Sequence, residues 1–428
     1  MTRALRAGLL IDGTDSEPLR NAVVLVDDGR VSRVGAEAEV AVPRDADTLD
    51  FSDRTVLPGL IDCHVHLVFS NGPHPLADVL AEDDFTILLR AASNARTALR
   101  AGVTTVRDLG GRAGTTLALR DAINRGLLPG TRIMACGAPI TLTGGHCYFL
   151  GLEADTEDEV RRAVRREVKE GVDGIKIMST GGRMTPRTNP LRAQYSVQVI
   201  AAAVEETRRA GMTIAAHGHG TEGIRNAVHA GVDTIEHCTW VSGHDGAEVA
   251  QLDEEVGRMM AAKGIYVVPT MTPIKMAVEV DPATLTEASR RSAALRPATI
   301  SIYRRLREMG VRFAAGTDAG VTLTPPDSLP WELQLMVDDV GFSPLDAIRA
   351  ATRDAATAIG LAADRGTLTP GRRADVLVVD GDPTADISAL RAVHAVLKDG
   401  VSAVADAVVG DPPPWRGYGY GYGYGLKR

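Results

Sequence analysis

The feature that most constrains this sequence is a recurring arrangement in the middle of the chain. A glycine opens a short apolar stretch at residues 102–106, 130–134, 174–178, 211–216, 231–235, 264–268 and 310–315. Several of these follow helix-like stretches rich in Ala, Arg and Glu, such as 157–170 and 198–210. Glycine enters the left-handed conformation that ends a helix without the penalty other residues meet. Short continuous apolar runs suit parallel strands covered on both faces. Adding a strand near residues 60–67 gives about eight β/α units between residues 58 and 360, the count and span of a (β/α)8 barrel. A doubly wound sheet uses the same alternation. The placement of the histidines favours the barrel.

The two ends of the chain differ from the middle. Residues 22–26 form a compact apolar run, followed by Asp27-Asp28-Gly29 and a second run at 31–34. Gly after two Asp is hairpin chemistry. The pattern returns at 374–379, before Asp380-Gly381-Asp382-Pro383, and at 393–397, before Lys398-Asp399-Gly400. We therefore expect an α/β chain in which a small β-sandwich built from residues 1–57 and 366–410 flanks a TIM barrel at 58–365. Residues 411–428 form a low-complexity tail in which Gly and Tyr alternate from Gly417 to Gly425, a composition that predicts disorder.

Charge and composition narrow the function. A formal net charge of -8 gives no basic footprint for nucleic acid, and 4% aromatic residues give no stacking platform for bases. No segment approaches the ~18 apolar residues that span a bilayer. The basic N-terminus lacks the apolar run of a signal peptide. Cys63, Cys136, Cys147 and Cys238 are widely spaced with no CxxC pair, which fits a reducing cytoplasm. The expectation is a cytoplasmic protein acting on a small molecule, with no nucleic-acid or membrane partner.

The polar residues at the strand ends carry the chemistry. In Asp62-Cys63-His64-Val65-His66-Leu67, strand alternation puts both histidines on one face, about 7 Å apart at Cα, where they can share a metal or be an incidental pair. Lys176 stands inside an apolar strand, where its charge needs a partner or a modification unless it snorkels. His217 and His237 end neighbouring strands, and His219 lies just beyond the first as a supporting or loop residue. Asp318, in Gly316-Thr317-Asp318-Ala319-Gly320, is a rim carboxylate or a helix N-cap. Each has an ordinary structural alternative. Together they fall on units one, four, five, six and eight, all near strand ends, where barrel active sites lie.

With these residues in place, the chain resembles the binuclear-metal group of the amidohydrolase superfamily. The entry Leu57-Pro58-Gly59-Leu60-Ile61-Asp62, the return through Pro370-Gly371-Arg372-Arg373-Ala374-Asp375, Thr143-Gly144-Gly145-His146 and Ile235-Glu236-His237 carry the likeness further. They look like the Xaa-Pro dipeptidase branch, related to imidazolonepropionases and ochratoxin amidohydrolases. The resemblance implies that His64, His66 and Asp318 bind one divalent cation and that His217 and His237 bind a second. Lys176, carboxylated on its amine, would bridge them. Imidazole and carboxylate donors suit Zn²⁺.

The function implied is hydrolysis of an amide in a dipeptide or N-acyl amino acid by a metal-bridging hydroxide, with Asp318 shuttling the proton. His146, Tyr195 and Arg187 are the expected substrate contacts, with His146 close to the scissile carbonyl or a substrate carboxylate. Related enzymes assemble as multimers, so a homo-oligomer is expected. The competing readings are a cyclic-amide hydrolase, a deaminase and a scaffold without catalysis. A deaminase of this superfamily would place Glu three residues after the unit-five His, where this chain has Gly220, although His219 and Glu222 do have that spacing, and it would not need Lys176. A scaffold would be expected to have lost ligands that are all present here.

Overall fold

In a computed structural model of the chain, residues 2–243, 248–273, 275 and 287–403 are described; the Gly/Tyr tail lies outside them. Strands Arg3–Leu10, Leu19–Asp27, Arg30–Ala36 and Asp47–Pro58 join Val376–Val379, Val393–Lys398 and Val401–Ser402 in one seven-stranded sheet. Pairing is antiparallel except between Arg3–Leu10 and Asp47–Pro58, which run parallel. Asp28 and Gly29 take φ of 48° and 78°, the left-handed pair of a tight hairpin turn.

The far edge of the sheet curls back on itself. Val31 N–H donates to the Arg372 carbonyl, and Gly371 N–H to the Val31 carbonyl, both at 2.8 Å. The curl encloses Leu5, Val24, Val56, Val376 and Leu397. The expected two-ended β domain is thus a single mixed sheet wrapped round its own core.

The middle of the chain forms the barrel. Its eight strands are Leu60–Val65, Val103–Asp108, Arg132–Ala135, Ile175–Met178, Ile214–Gly220, Thr234–Ser242, Tyr266–Val268 and Arg312–Phe313. Neighbours pair in parallel along two runs, strands one to three and strands four to eight. The Asp173 N–H to Ala135 carbonyl bond, 2.8 Å, joins the two runs. Closure comes beyond Phe313, where Cys63 N–H donates to the Ala315 carbonyl (2.9 Å) and Asp318 N–H to the His64 carbonyl (2.8 Å).

Helices Thr221–Ala230 and Glu254–Lys263 end at Gly231 and Gly264, each left-handed, as the glycine pattern predicts, while Glu157–Glu170 ends at Gly171, three residues before the glycine of the pattern. The strands bury Val106, Ile177, Ile235 and Val267 against these and the other outer helices. Each such side chain contributes about 1.5–3 kcal/mol.

The curled sheet docks under the amino ends of the barrel strands. Lys398 Nζ donates to the Gly130 carbonyl at 2.8 Å, Gly59 N–H donates to the Asp375 carbonyl at 2.8 Å, and Leu377 packs on Gly102. The carboxyl rim therefore stays open for a site. No helix among the described residues is long and apolar enough to cross a membrane.

Candidate metal centre

A cavity of about 510 Å³ opens at the carboxyl rim, and His64, His66, Lys176, His217, His237 and Asp318 all line it. These come from strands one, four, five, six and eight, or the turns just after them. His64 Nε2 and His66 Nε2 are 3.4 Å apart, and Asp318 Oδ1 lies 3.2 Å from the first and 3.5 Å from the second. Across the floor, His237 Nε2 stands 3.0 Å from His217 Nδ1. Two donor groups result: His64, His237 and Asp318, and His217, His219 and His237, each with ligand atoms within 4.8 Å of one another.

The outer nitrogens of two rings are already engaged. His64 Nδ1 meets Glu236 Oε2 at 2.8 Å, and His237 Nδ1 meets Thr270 Oγ1 at 2.7 Å. Since a carboxylate can only accept, Glu236 holds a proton on His64 Nδ1, which leaves Nε2 as the nitrogen that faces Asp318 and the cavity.

Burial shapes the charges. Burial, then Lys176, pushes His146 down to about 4. Burial likewise drives Lys176 below the usual ammonium range, against the pull of Glu236. Burial would raise Asp318, but His64, His66 and Lys176 outweigh it and hold the carboxyl below its ordinary value.

Lys176 Nζ is fully buried and has no hydrogen-bond partner among the described residues. A buried amine in that state costs free energy. A carbamate on it, facing two cations, would remove the orphan. The facing lone pairs, the single carboxylate and this amine together fit a pair of divalent cations.

The other expected residues divide. His146 lines the cavity, and its ring centroid lies 4.6 Å from that of His217. Tyr195 does not reach the cavity: it is buried and its hydroxyl donates to the Ala154 carbonyl at 2.7 Å. Arg187 lines a separate open groove and not the histidine cavity.

Sequence reasoning underrated four residues. His219 belongs to the second donor group, because the fifth strand extends to Gly220 and His217-Gly218-His219 repeats the spacing of His64-Val65-His66. Glu236 and Arg107 form a buried ion pair of 2.9 Å under His64. Charged residues inside apolar strands were the signal for both. His74, which caps the helix Pro75–Ala81, also sits at the cavity wall.

Known proteins place this geometry. A sequence model of the "Amidohydrolase family" matches residues 55–403. The chain is 33% identical over 419 residues to an ochratoxinase of Aspergillus niger, covering 91% of this chain and 83% of that one. It is 28% identical to an imidazolonepropionase of Paracoccus denitrificans, covering 85% and 88%. It superposes on a Xaa-Pro dipeptidase with methionine bound in the active site at a TM-score of 0.84 and 31% identity, covering 94% and 99%. With the family matched through barrel and returning sheet alike, and with metal-donor groups at the rim, this chain belongs to the amidohydrolase family and is a metal-dependent hydrolase of carbon–nitrogen bonds.

Proposed function

We propose that the protein hydrolyses the amide bond of a dipeptide or N-acyl amino acid with a free carboxylate. The observation that carries this is the orphaned Lys176 amine on the floor of a cavity with facing histidine pairs. The likeness to a Xaa-Pro dipeptidase and to an ochratoxinase supports the linear-amide class.

In this reading His64, His66 and Asp318 would hold one divalent cation and His217 and His237 a second, most naturally Zn²⁺, and a carboxylated Lys176 would be a ligand as well. When bound, the cations supply a water that ionises near neutral pH and polarise the substrate carbonyl. Asp318, held as a carboxylate against His64 Nε2, accepts the proton from the attacking water. It then delivers that proton to the leaving nitrogen, without which an amine is a poor leaving group. His146, kept neutral by burial, donates to the scissile carbonyl or to the substrate carboxylate. Met178, Met184, Met271 and Val321 give the cavity an apolar wall for the substrate side chain.

The test is an LC–MS screen of Zn²⁺-reconstituted protein against dipeptides and N-acyl amino acids, with Lys176→Ala as control. Cleavage of one class, lost in the control, is expected. The imidazolonepropionase likeness favours a second reading, in which a cyclic amide is opened. Ring opening without linear-amide cleavage would replace the first reading with the second.

A further inference from the structure

Glu236 does not line the cavity, yet both its oxygens are committed beneath it. Oε2 lies 2.8 Å from His64 Nδ1. Oε1 accepts from Arg107 Nη2 at 2.9 Å and from the Thr234 hydroxyl at 2.5 Å. Arg107 Nε in turn donates to the Cys63 carbonyl at 2.7 Å. Glu236 and Arg107 are 0% and 1% exposed.

The chain of contacts leaves the first strand at Cys63, crosses the second and sixth, and returns to the first at His64. An ion pair taken wholly out of water gains little net stability over an apolar pair of the same shape. Its specific product here is a fixed imidazole. The carboxylate accepts from Nδ1, so Nε2 is the nitrogen left to face Asp318 and a cation, and the ring plane is set from below.

We propose that Glu236 is a positioning residue for the metal centre: it locks His64 in the Nδ1–H tautomer and aims Nε2 at the cation shared with His66 and Asp318, while Arg107 holds Glu236 in place. The proposal rests on the reading of His64 as a metal donor. A glutamine keeps the shape of Glu236 but not its function. If its carbonyl oxygen faces His64, its NH₂ faces the Arg107 guanidinium, donor against donor. If the amide turns over, the NH₂ faces the His64 N–H instead.

The test uses the full-length protein, stripped with chelator and titrated with Zn²⁺ against a chromophoric chelator, as wild type and Glu236→Gln. Wild type is expected to bind two cations. In the variant, one of the two should weaken about 10–100-fold, the effect typical of removing a carboxylate behind a metal-bound imidazole. The other, and the secondary structure of the stripped protein by circular dichroism, should hold. A purely structural ion pair would lower stability without selecting one cation. Affinities of the variant within twofold of wild type at both sites would overturn the proposal. A wild type that binds no cation would instead sink the metal-centre reading on which it rests.

Should Glu236→Gln fail to fold, ¹⁵N NMR of the wild-type imidazoles reads the tautomer directly. A proton on His64 Nδ1, with or without a second on Nε2, supports the proposal; a proton on Nε2 alone overturns it.

Discussion

Replacing Lys176 by Met should change stability in opposite directions with and without metal. Lys176 Nζ is buried without a hydrogen-bond partner among the described residues, on the floor of the histidine cavity. Removing a buried polar atom without a partner recovers about 1–3 kcal/mol, and an unbranched side chain of similar volume returns less than about 1.5 kcal/mol of that as packing cost. The stripped variant should therefore be more stable than stripped wild type by about 1 kcal/mol.

With metal the sign reverses. Zn²⁺ at a hundred times its dissociation constant stabilises wild type by about 2.7 kcal/mol. A variant without the bridging group, bound about a hundredfold more weakly, keeps about 0.4 kcal/mol of that. Urea unfolding of both proteins, with chelator and with Zn²⁺, reads all four values. Electrospray mass of the native wild type should carry the added mass of one CO₂, absent from the variant. A variant that is less stable than wild type when stripped, yet gains as much from Zn²⁺, would refute the reasoning and make Lys176 a packing residue.

Three further outcomes follow from local geometry. A Cβ on Gly182 would lie 2.2–2.5 Å from the His146 ring, so Gly182→Ala should swing that ring away; we expect kcat/KM to fall at least tenfold (about 1.4 kcal/mol) with little change in Tm, measured on the substrate from the amide screen. Thr270→Val strips the partner from His237 Nδ1 and should weaken Zn²⁺ binding about tenfold, read by chelator competition. Glu332 is fully buried, accepts from Met271 N–H, Thr272 N–H and the Thr272 hydroxyl, and is pushed by burial to about 7 from an ordinary 4.5. The folded state then holds the proton more tightly than the unfolded one. The stability this adds is whole below pH 4.5 and is lost as pH rises through 7, by about 3 kcal/mol in all. Glu332→Gln should flatten that decline in urea unfolding between pH 5 and pH 8; an unchanged slope would refute the assignment.

The barrel was legible because its signal is repeated and local. Left-handed glycines at 102, 211, 231, 264 and 310 precede apolar runs that become strands, and all eight strands stand where the pattern put them. His64, His66, Lys176, His217, His237 and Asp318 could be read because polar residues at the ends of buried strands have few structural uses, and topology gathers strand ends onto one rim. Tyr195 and Arg187 could not be read in the same way. They lie in the long polar segment after the fourth strand, where no periodicity says which side chain turns inward. The structure instead spends the Tyr195 hydroxyl on the Ala154 carbonyl and turns Arg187 to a different groove.

Glu236 marks a deeper limit, because alternation argues against it. Consecutive strand residues point to opposite faces, so if His237 faces the cavity Glu236 should face the helices. Both point into the barrel. The reason lies in the backbone: His237 has φ of 65°, and Cys238 and Trp240 follow at 54° and 55°. The sixth strand thus leaves extended geometry at the residue that bears the imidazole. Thr270 and Asp318, just beyond the seventh and eighth strands, are left-handed too, at 48° and 59°. None of these is glycine, and each costs of order 1–3 kcal/mol that the surrounding contacts must offset.

Those contacts are visible. Tyr303 donates its hydroxyl to the His237 carbonyl, and Asp62 accepts from Thr317 N–H and, at 2.6 Å, from the Thr317 hydroxyl, next to Asp318. The left-handed residues bring His237 over the cavity floor and Asp318 against His64 and His66, while Glu236 keeps its extended course into the layer below. Two successive side chains thereby serve one centre from two depths, one lining the cavity and one holding His64 from beneath. No residue pattern of period two could have shown that, because the site is built at the points where the period fails.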